Sequence, residues 1–142
     1  MQKLDRNDLG LLPDPKIPIK IAFIKPNGMP SVISLWFEQI NGKLYCATQK
    51  SAKIVSYLQN NPSCGFEIAT DKPPYKGIRG EGTVKITEMG QEILAILIEK
   101  YLGEKESNLS RYLRKNSKTE VAIEISPDKF FNYDYSKRMK GV

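Results

Sequence analysis

Residues 43–65 read KLYCATQKSAKIVSYLQNNPSCG, and the hydrophobic period changes twice within them. Lys43–Thr48 alternates as a strand, and Gln49–Ser51 is a polar turn. Ala52–Asn60 places Ile54, Tyr57 and Leu58 on one helical face, and Asn61-Pro62 breaks the helix into another strand. Ser51 stands where an N-cap belongs, so the first backbone N–H groups of the helix are expected to point outward there. Thr48, Lys50, Ser51 and Lys53 crowd this turn. Free N–H groups, the positive end of a helix and a lysine one residue inside it together suit a phosphate. A capped helix with solvated lysines accounts for the same residues.

Upstream, Asn7–Leu12 is long enough for one helical turn before Pro13 and Pro15 stop it. Ile17–Lys25 alternates as a strand, with Ile19, Ile21 and Phe23 on one face. Asn27-Gly28 is a strong hairpin signal, and it leads into a second strand, Ser31–Gln39. Ser31, Ile33, Leu35, Phe37 and Gln39 form its natural core face, with Val32, Ser34, Trp36 and Glu38 opposite. Asn41-Gly42 supplies a second such turn into Lys43–Thr48. The spacing predicts a three-stranded antiparallel meander.

Downstream, Ser63–Thr70 is a strand and Asp71–Lys76 a proline-restricted loop. Gly77–Thr87 is a long strand whose Gly77, Gly80 and Gly82 imply bulges, or close backbone approach to something bound or packed. A helix starting at Thr87-Glu88 carries Ile93, Leu94, Leu97, Ile98, Tyr101 and Leu102 and stops at Gly103. A further helix follows Ser107, with Leu109, Tyr112 and Leu113 expected inward. Arg111, Arg114, Lys115 and Lys118 lie on its other side, as a solvated basic face or an anion patch. Thr119–Ser126 alternates cleanly, Pro127-Asp128 is expected to turn, and Lys129–Tyr135 closes the fold as an aromatic-rich strand. The sum is a single domain over residues 1–142, mainly β with inserted helices, as a six- to seven-stranded antiparallel barrel.

At 142 residues, 40% hydrophobic and 27% charged, the chain has the composition of a globular domain. No apolar run approaches the roughly 20 residues of a membrane helix, and the N-terminus lacks an apolar signal core, so cytoplasm is the expected compartment. A net charge of +6 favours anionic ligands, though the excess is spread along the chain. Cys46 and Cys64 fall on separate strands without CxxC spacing and read as buried free thiols. Histidine is absent, which excludes imidazole acid–base catalysis, His-based triads and His metal sites within one chain. Phosphate-loop, dinucleotide-binding, nucleophile-elbow and zincin motifs are all missing. Glu120 and Glu124 lie on the exposed face of their strand and do not form a buried acid–base pair.

The order of these parts resembles the flavin-binding split β-barrel family related to pyridoxamine 5'-phosphate oxidase. The resemblance rests on Asn27-Gly28-Met29-Pro30, then SVISLWFEQINGKLYCAT, Ser51-Ala52-Lys53, Asn61-Pro62, the Pro73-Pro74-Tyr75 loop and the strand GEGTV. It covers roughly residues 17–87, and SPDKFFNYDYS resembles the family's closing strand. It implies a homodimer with FMN bound in grooves between two barrels. Lys53 would hold the 5'-phosphate with Ser51 and Thr48 as hydroxyl partners. Ser34, Leu35 and Trp36 would run beside the isoalloxazine, and Tyr75, Lys76 and Gly77 would approach from the other subunit or the far wall. Two arginines of the oxidase are replaced, by Ile33 and Ala52, and its C-terminal Arg-Leu-x-Pro segment has no match. The implied function is therefore FMN-mediated electron or hydride transfer with a small-molecule donor or acceptor, not vitamin biosynthesis. A deazaflavin-dependent reductase is an alternative, its anionic cofactor tail meeting Arg111, Arg114, Lys115 and Lys118. A non-enzymatic flavin carrier or sensor, and more remotely a basic nucleic-acid-binding barrel, complete the set.

Overall fold

Two residues, Trp36 and Phe37, separate strands that lie at opposite edges of one sheet. The computed structural model describes residues 16–141. In chain order the strands are β1 (Ile19–Ile24), β2 (Pro30–Leu35), β3 (Glu38–Ile40), β4 (Lys43–Gln49), β5 (Ser63–Ala69), β6 (Lys76–Thr87) and β7 (Glu120–Asp134). The helices are α1 (Lys53–Asn60), α2 (Gly90–Leu102) and α3 (Asn108–Lys115), followed by a 3-10 turn at Ser117–Thr119. The strands form one antiparallel sheet in the order β2-β1-β5-β6-β7-β4-β3. The two edge strands are β2 and β3, and the link between Leu35 and Glu38 spans at most about 11 Å. The sheet must therefore curl until its edges nearly meet, which makes a split barrel.

Both Asn-Gly turns form as their sequences require. Gly28, Asn41 and Gly42 take positive φ (86°, 52° and 78°), the conformation that glycine and asparagine tolerate best. The expected Ser31–Gln39 strand, however, breaks at Trp36-Phe37, so β1–β2 and β3–β4 are separate hairpins and not one continuous meander. Nor does Pro127-Asp128 turn the chain. β7 runs straight through it, and the extra residue is absorbed as a bulge opposite Glu81 and Gly82.

The barrel interior collects the inward residues of every long strand. Ile19 and Ile21 of β1, Leu44 and Cys46 of β4, Ile68, Ile78, Ile123 and Ile125 are all essentially inaccessible, and Ile54, Val55 and Leu58 of α1 pack among them. A second cluster lies outside, where Ile93 and Leu97 of α2 meet Ala122 with Trp36, Ile40, Tyr45 and Tyr101 around them. The glycines of β6 are explained by crowding within the sheet. A Cβ at Gly77 would stand 2.4 Å from the Ile68 carbonyl oxygen, one at Gly80 2.4 Å from that of Lys129, and one at Gly82 2.9 Å from that of Ser126.

The face expected of α3 is right only at Leu113, which is half-buried. Leu109 and Tyr112 are 48% and 65% exposed, while Ser110 is the residue buried. A capping box orients the helix: Ser107 Oγ accepts from the Ser110 N–H at 3.1 Å, and Ser110 Oγ accepts from the Ser107 N–H at 2.9 Å. The helical turn expected at Asn7–Leu12 lies outside the described residues.

Candidate functional site

The turn between β4 and α1 differs from the sequence expectation by one residue. The N-cap is Ala52, not Ser51, and no side chain caps the helix. Ser51 is exposed and stands one residue outside the cap. Ala52 cannot accept a hydrogen bond through its side chain, so the first N–H groups of α1 have no side-chain partner. Lys50 and Lys53 are exposed on either side and form no ion pair with a described residue. The turn is thus more open to an anion than a capped helix would be.

Thr48 belongs to another side of the strand. It follows Leu44 and Cys46 in the alternation that fills the barrel, and it lies opposite buried Val121. Gln49 follows Tyr45 and Ala47, which pack toward α2. There an open cleft of about 540 Å³ is lined by Gln49, Lys50, Ser51, Glu88, Lys118, Thr119, Glu120 and Val121. Its floor is tied across the β4–β7 ladder: Gln49 Nε2 donates to the Asn116 carbonyl at 2.9 Å, and the Thr119 hydroxyl donates to Gln49 Oε1. The Lys50 N–H donates to the Thr119 carbonyl at 2.9 Å. Burial raises the Glu120 carboxyl above its usual range. Sequence reasoning missed Gln49, Glu88 and Thr119, because local sequence carries no signal of pairing between segments some seventy residues apart. It had assigned Lys118 to the basic helix. Lys118 lies instead beside Lys50 and Ser51, while Arg111, Arg114 and Lys115 do not line this cleft.

The residues expected beside a ring system lie elsewhere. Ser34 is exposed and Leu35 half-buried on the edge strand β2, whose outer side has no neighbouring strand. The Trp36 indole is stacked on Tyr101 at 5.0 Å and 6°, within the α2 cluster. Tyr75 is 40% exposed, Lys76 opens β6, and Gly77 is buried against β5. Nearby, the Tyr133 hydroxyl donates to Glu67 at 3.0 Å, and the Arg79 guanidinium lies 4.5 Å from the Tyr133 ring centre. The sequence-predicted residues therefore occupy three places in one chain: the β2 edge, the β4–α1 turn and the start of β6.

Cys46 and Cys64 are buried and free, as read from the sequence. Burial raises both thiols, that of Cys64 to about 11. Among the described residues no cluster of His, Cys, Asp or Glu suits a metal ion, and no helix is long and apolar enough to cross a membrane.

No protein-family model and no curated protein matches the chain. Solved structures do. A conserved hypothetical protein from Mycobacterium tuberculosis superposes with TM-score 0.77 at 17% identity, covering 95% of this chain and 88% of that one. An F420 reductase superposes with TM-score 0.73 at 19% identity, covering 90% and 98%. A candidate pyridoxamine 5'-phosphate oxidase from Listeria innocua gives 0.62 at 15% identity, covering 81% and 86%. With its open seven-stranded antiparallel sheet, the chain has the split-barrel fold of pyridoxamine 5'-phosphate oxidase-like proteins.

Proposed function

We propose that this protein binds a flavin, FMN in the first instance, and passes electrons or hydride through it to or from a small molecule. Because a fold alone does not fix an activity, the reading leans on one feature of this chain. That feature is the uncapped start of α1, with Ser51 beside it and two unpaired lysines around it. Open N–H donors and unpaired lysines fit a phosphate group. Lys53 is the principal phosphate ligand, Lys50 adds charge, and Ser51 and, from the barrel side of β4, Thr48 are the hydroxyl partners. The unpaired edge of β2 at Ser34 and Leu35 offers backbone donors and acceptors to the polar rim of the ring, with Trp36 at the end of that strand. Tyr75, Lys76 and Gly77 come from a second copy of the chain in a homodimer, which reconciles three separate places in one chain with one binding groove. The bound cofactor supplies the redox chemistry, and the protein supplies binding, orientation and electrostatics.

The purified protein should be yellow and release FMN on denaturation. Lys53→Ala should weaken FMN binding by about 1.5–3 kcal/mol, the loss of one charged hydrogen bond. A colourless protein that ignores added FMN, or a variant that holds it as tightly as the parent, would refute the assignment.

A second reading has its own support. Lys118 shares a cleft with Lys50 and Ser51, and an F420 reductase has the same fold. A deazaflavin with an extended anionic tail would use that cleft. Lys118→Ala should then weaken deazaflavin binding about tenfold and leave FMN binding unchanged. Equal effects on both ligands would remove the distinction.

A further inference from the structure

The chain crosses from one sheet edge to the other at Trp36-Phe37, where backbone groups leave the β ladder and must find other partners. Two consecutive side chains at the end of α2 provide them. The Phe37 N–H donates to Tyr101 Oη at 3.2 Å, and Lys100 Nζ donates to the Phe37 carbonyl at 2.7 Å. The Tyr101 hydroxyl in turn donates to the Ile17 carbonyl at 3.1 Å, which ties the crossover to the chain entering β1. The Tyr101 ring stacks on Trp36, and Lys100 Nζ lies 4.3 Å from the centre of the Phe37 ring and 3.5 Å from Glu38 Oε2.

Holding a lysine here is costly. Its side chain is only 18% exposed, and burial lowers its pKa. A hydrophobic residue would fill the same space without that cost, but it would leave the Phe37 carbonyl without this charged donor. The contacts converge on the two residues that follow Ser34 and Leu35, the stretch of β2 assigned above to the flavin ring.

We propose that Lys100 and Tyr101 are positioning residues that set the placement of Ser34 and Leu35 toward the cofactor. The inference rests on the flavin reading and adds residues that do not touch the ligand themselves. They act by fixing the exit of β2, so that the edge is preformed before a ligand arrives. Preorganisation of this kind is read out in affinity and in the environment of the ring.

The test compares the parent with Tyr101→Phe, Lys100→Met and Lys100→Arg. Hydrogen exchange of amides 33–38 and FMN binding followed by flavin fluorescence and the visible band are the two readouts. Tyr101→Phe and Lys100→Met should speed exchange at 33–38 at least tenfold while β5 and β6 stay protected. They should also weaken FMN binding about tenfold and shift the flavin band, and Lys100→Arg should restore much of both. Faster exchange with parental affinity and spectrum would make the clamp purely structural and overturn the proposal. Unchanged exchange would overturn the clamp itself. A parent that does not bind FMN would instead overturn the flavin reading, and the positioning role with it.

Discussion

Gly90→Ala sets two physical rules against each other. Gly90 is the first residue of α2, and it is buried. On helix propensity alone, alanine should stabilise by up to about 1 kcal/mol. Packing says the opposite. A Cβ at this position would stand 2.2 Å from the carbonyl carbon and oxygen of Glu120 and 2.4 Å from the nitrogen of Val121. All three are backbone atoms of β7, a strand held on both sides by β4 and β6, so no side chain can swing aside. Reaching ordinary contact means moving the start of α2 away from the sheet by about 1 Å, which loosens Ile93 and Leu97 from Ala122. Overpacking of this kind costs about 3 kcal/mol when backbone must shift, which leaves a net loss of about 2 kcal/mol. For a chain of this length that lowers Tm by about 6–10 °C. Thermal unfolding by circular dichroism, with urea unfolding as a check, measures it directly. A variant as stable as the parent, or more so, would show that α2 does not rest on β7 as described.

Three further outcomes follow from buried and half-buried ionisable groups. Glu120→Gln should raise Tm at pH 7, because burial penalises the charged carboxylate; the gain should vanish as pH falls below about 4.5 and the parent protonates, and a loss at pH 7 would contradict it. Above pH 9 stability should fall, since the Cys64 thiol, raised to about 11, and the Tyr133 phenol, raised to about 12, keep protons that the unfolded chain releases. Cys64 alone accounts for about 2 kcal/mol of that loss between pH 9 and 11, and Lys100, whose pKa is lowered by burial, works in the opposite sense. A flat pH–stability profile from 9 to 11 would refute this. Both thiols should also resist a thiol reagent at pH 8 until urea unfolds the chain; fast labelling of the native protein would mean that the barrel interior is open.

What was legible in the sequence was whatever local residues decide. Gly28 in the first Asn-Gly turn and Asn41-Gly42 in the second take positive φ as local sequence leads one to expect, and the alternation of Ile19, Ile21 and Phe23 marks the barrel face of β1. The break at Trp36-Phe37 was not legible, because alternation continues through it. There Tyr101 and Lys100, more than sixty residues away, take up the Phe37 N–H and carbonyl in place of the ladder. The orientation of α3 failed for a related reason. Leu109, Tyr112 and Leu113 have helical spacing, but with Ser110 buried only Leu113, one turn further on, is half-buried, and Leu109 and Tyr112 are exposed. A small polar side whose hydroxyls are satisfied by each other's backbone groups can pack more closely than a leucine, and hydrophobic period does not register that.

The candidate site divides along the same line. That a phosphate-suited turn exists between β4 and α1 could be read locally, but its chemistry depends on where the helix begins. With Ser51 as cap, a hydroxyl would already occupy one of the free N–H groups; with Ala52 there, no side chain does, the Val55 N–H turns back to the Ala52 carbonyl at 3.0 Å, and Ser51 stands aside. One residue of offset therefore turns a structural feature that competes with a ligand into one that favours it. Lys118 makes the converse point. Sequence places it with Arg111, Arg114 and Lys115 on a solvated helix, and only the β4–β7 pairing carries it to the cleft beside Lys50. Charge that is scattered along the chain is gathered by the fold. Under the proposed function, the anionic length of the cofactor is what this gathering would select, so Lys118, and not the more obvious Lys53, is the residue expected to separate FMN from a longer-tailed deazaflavin.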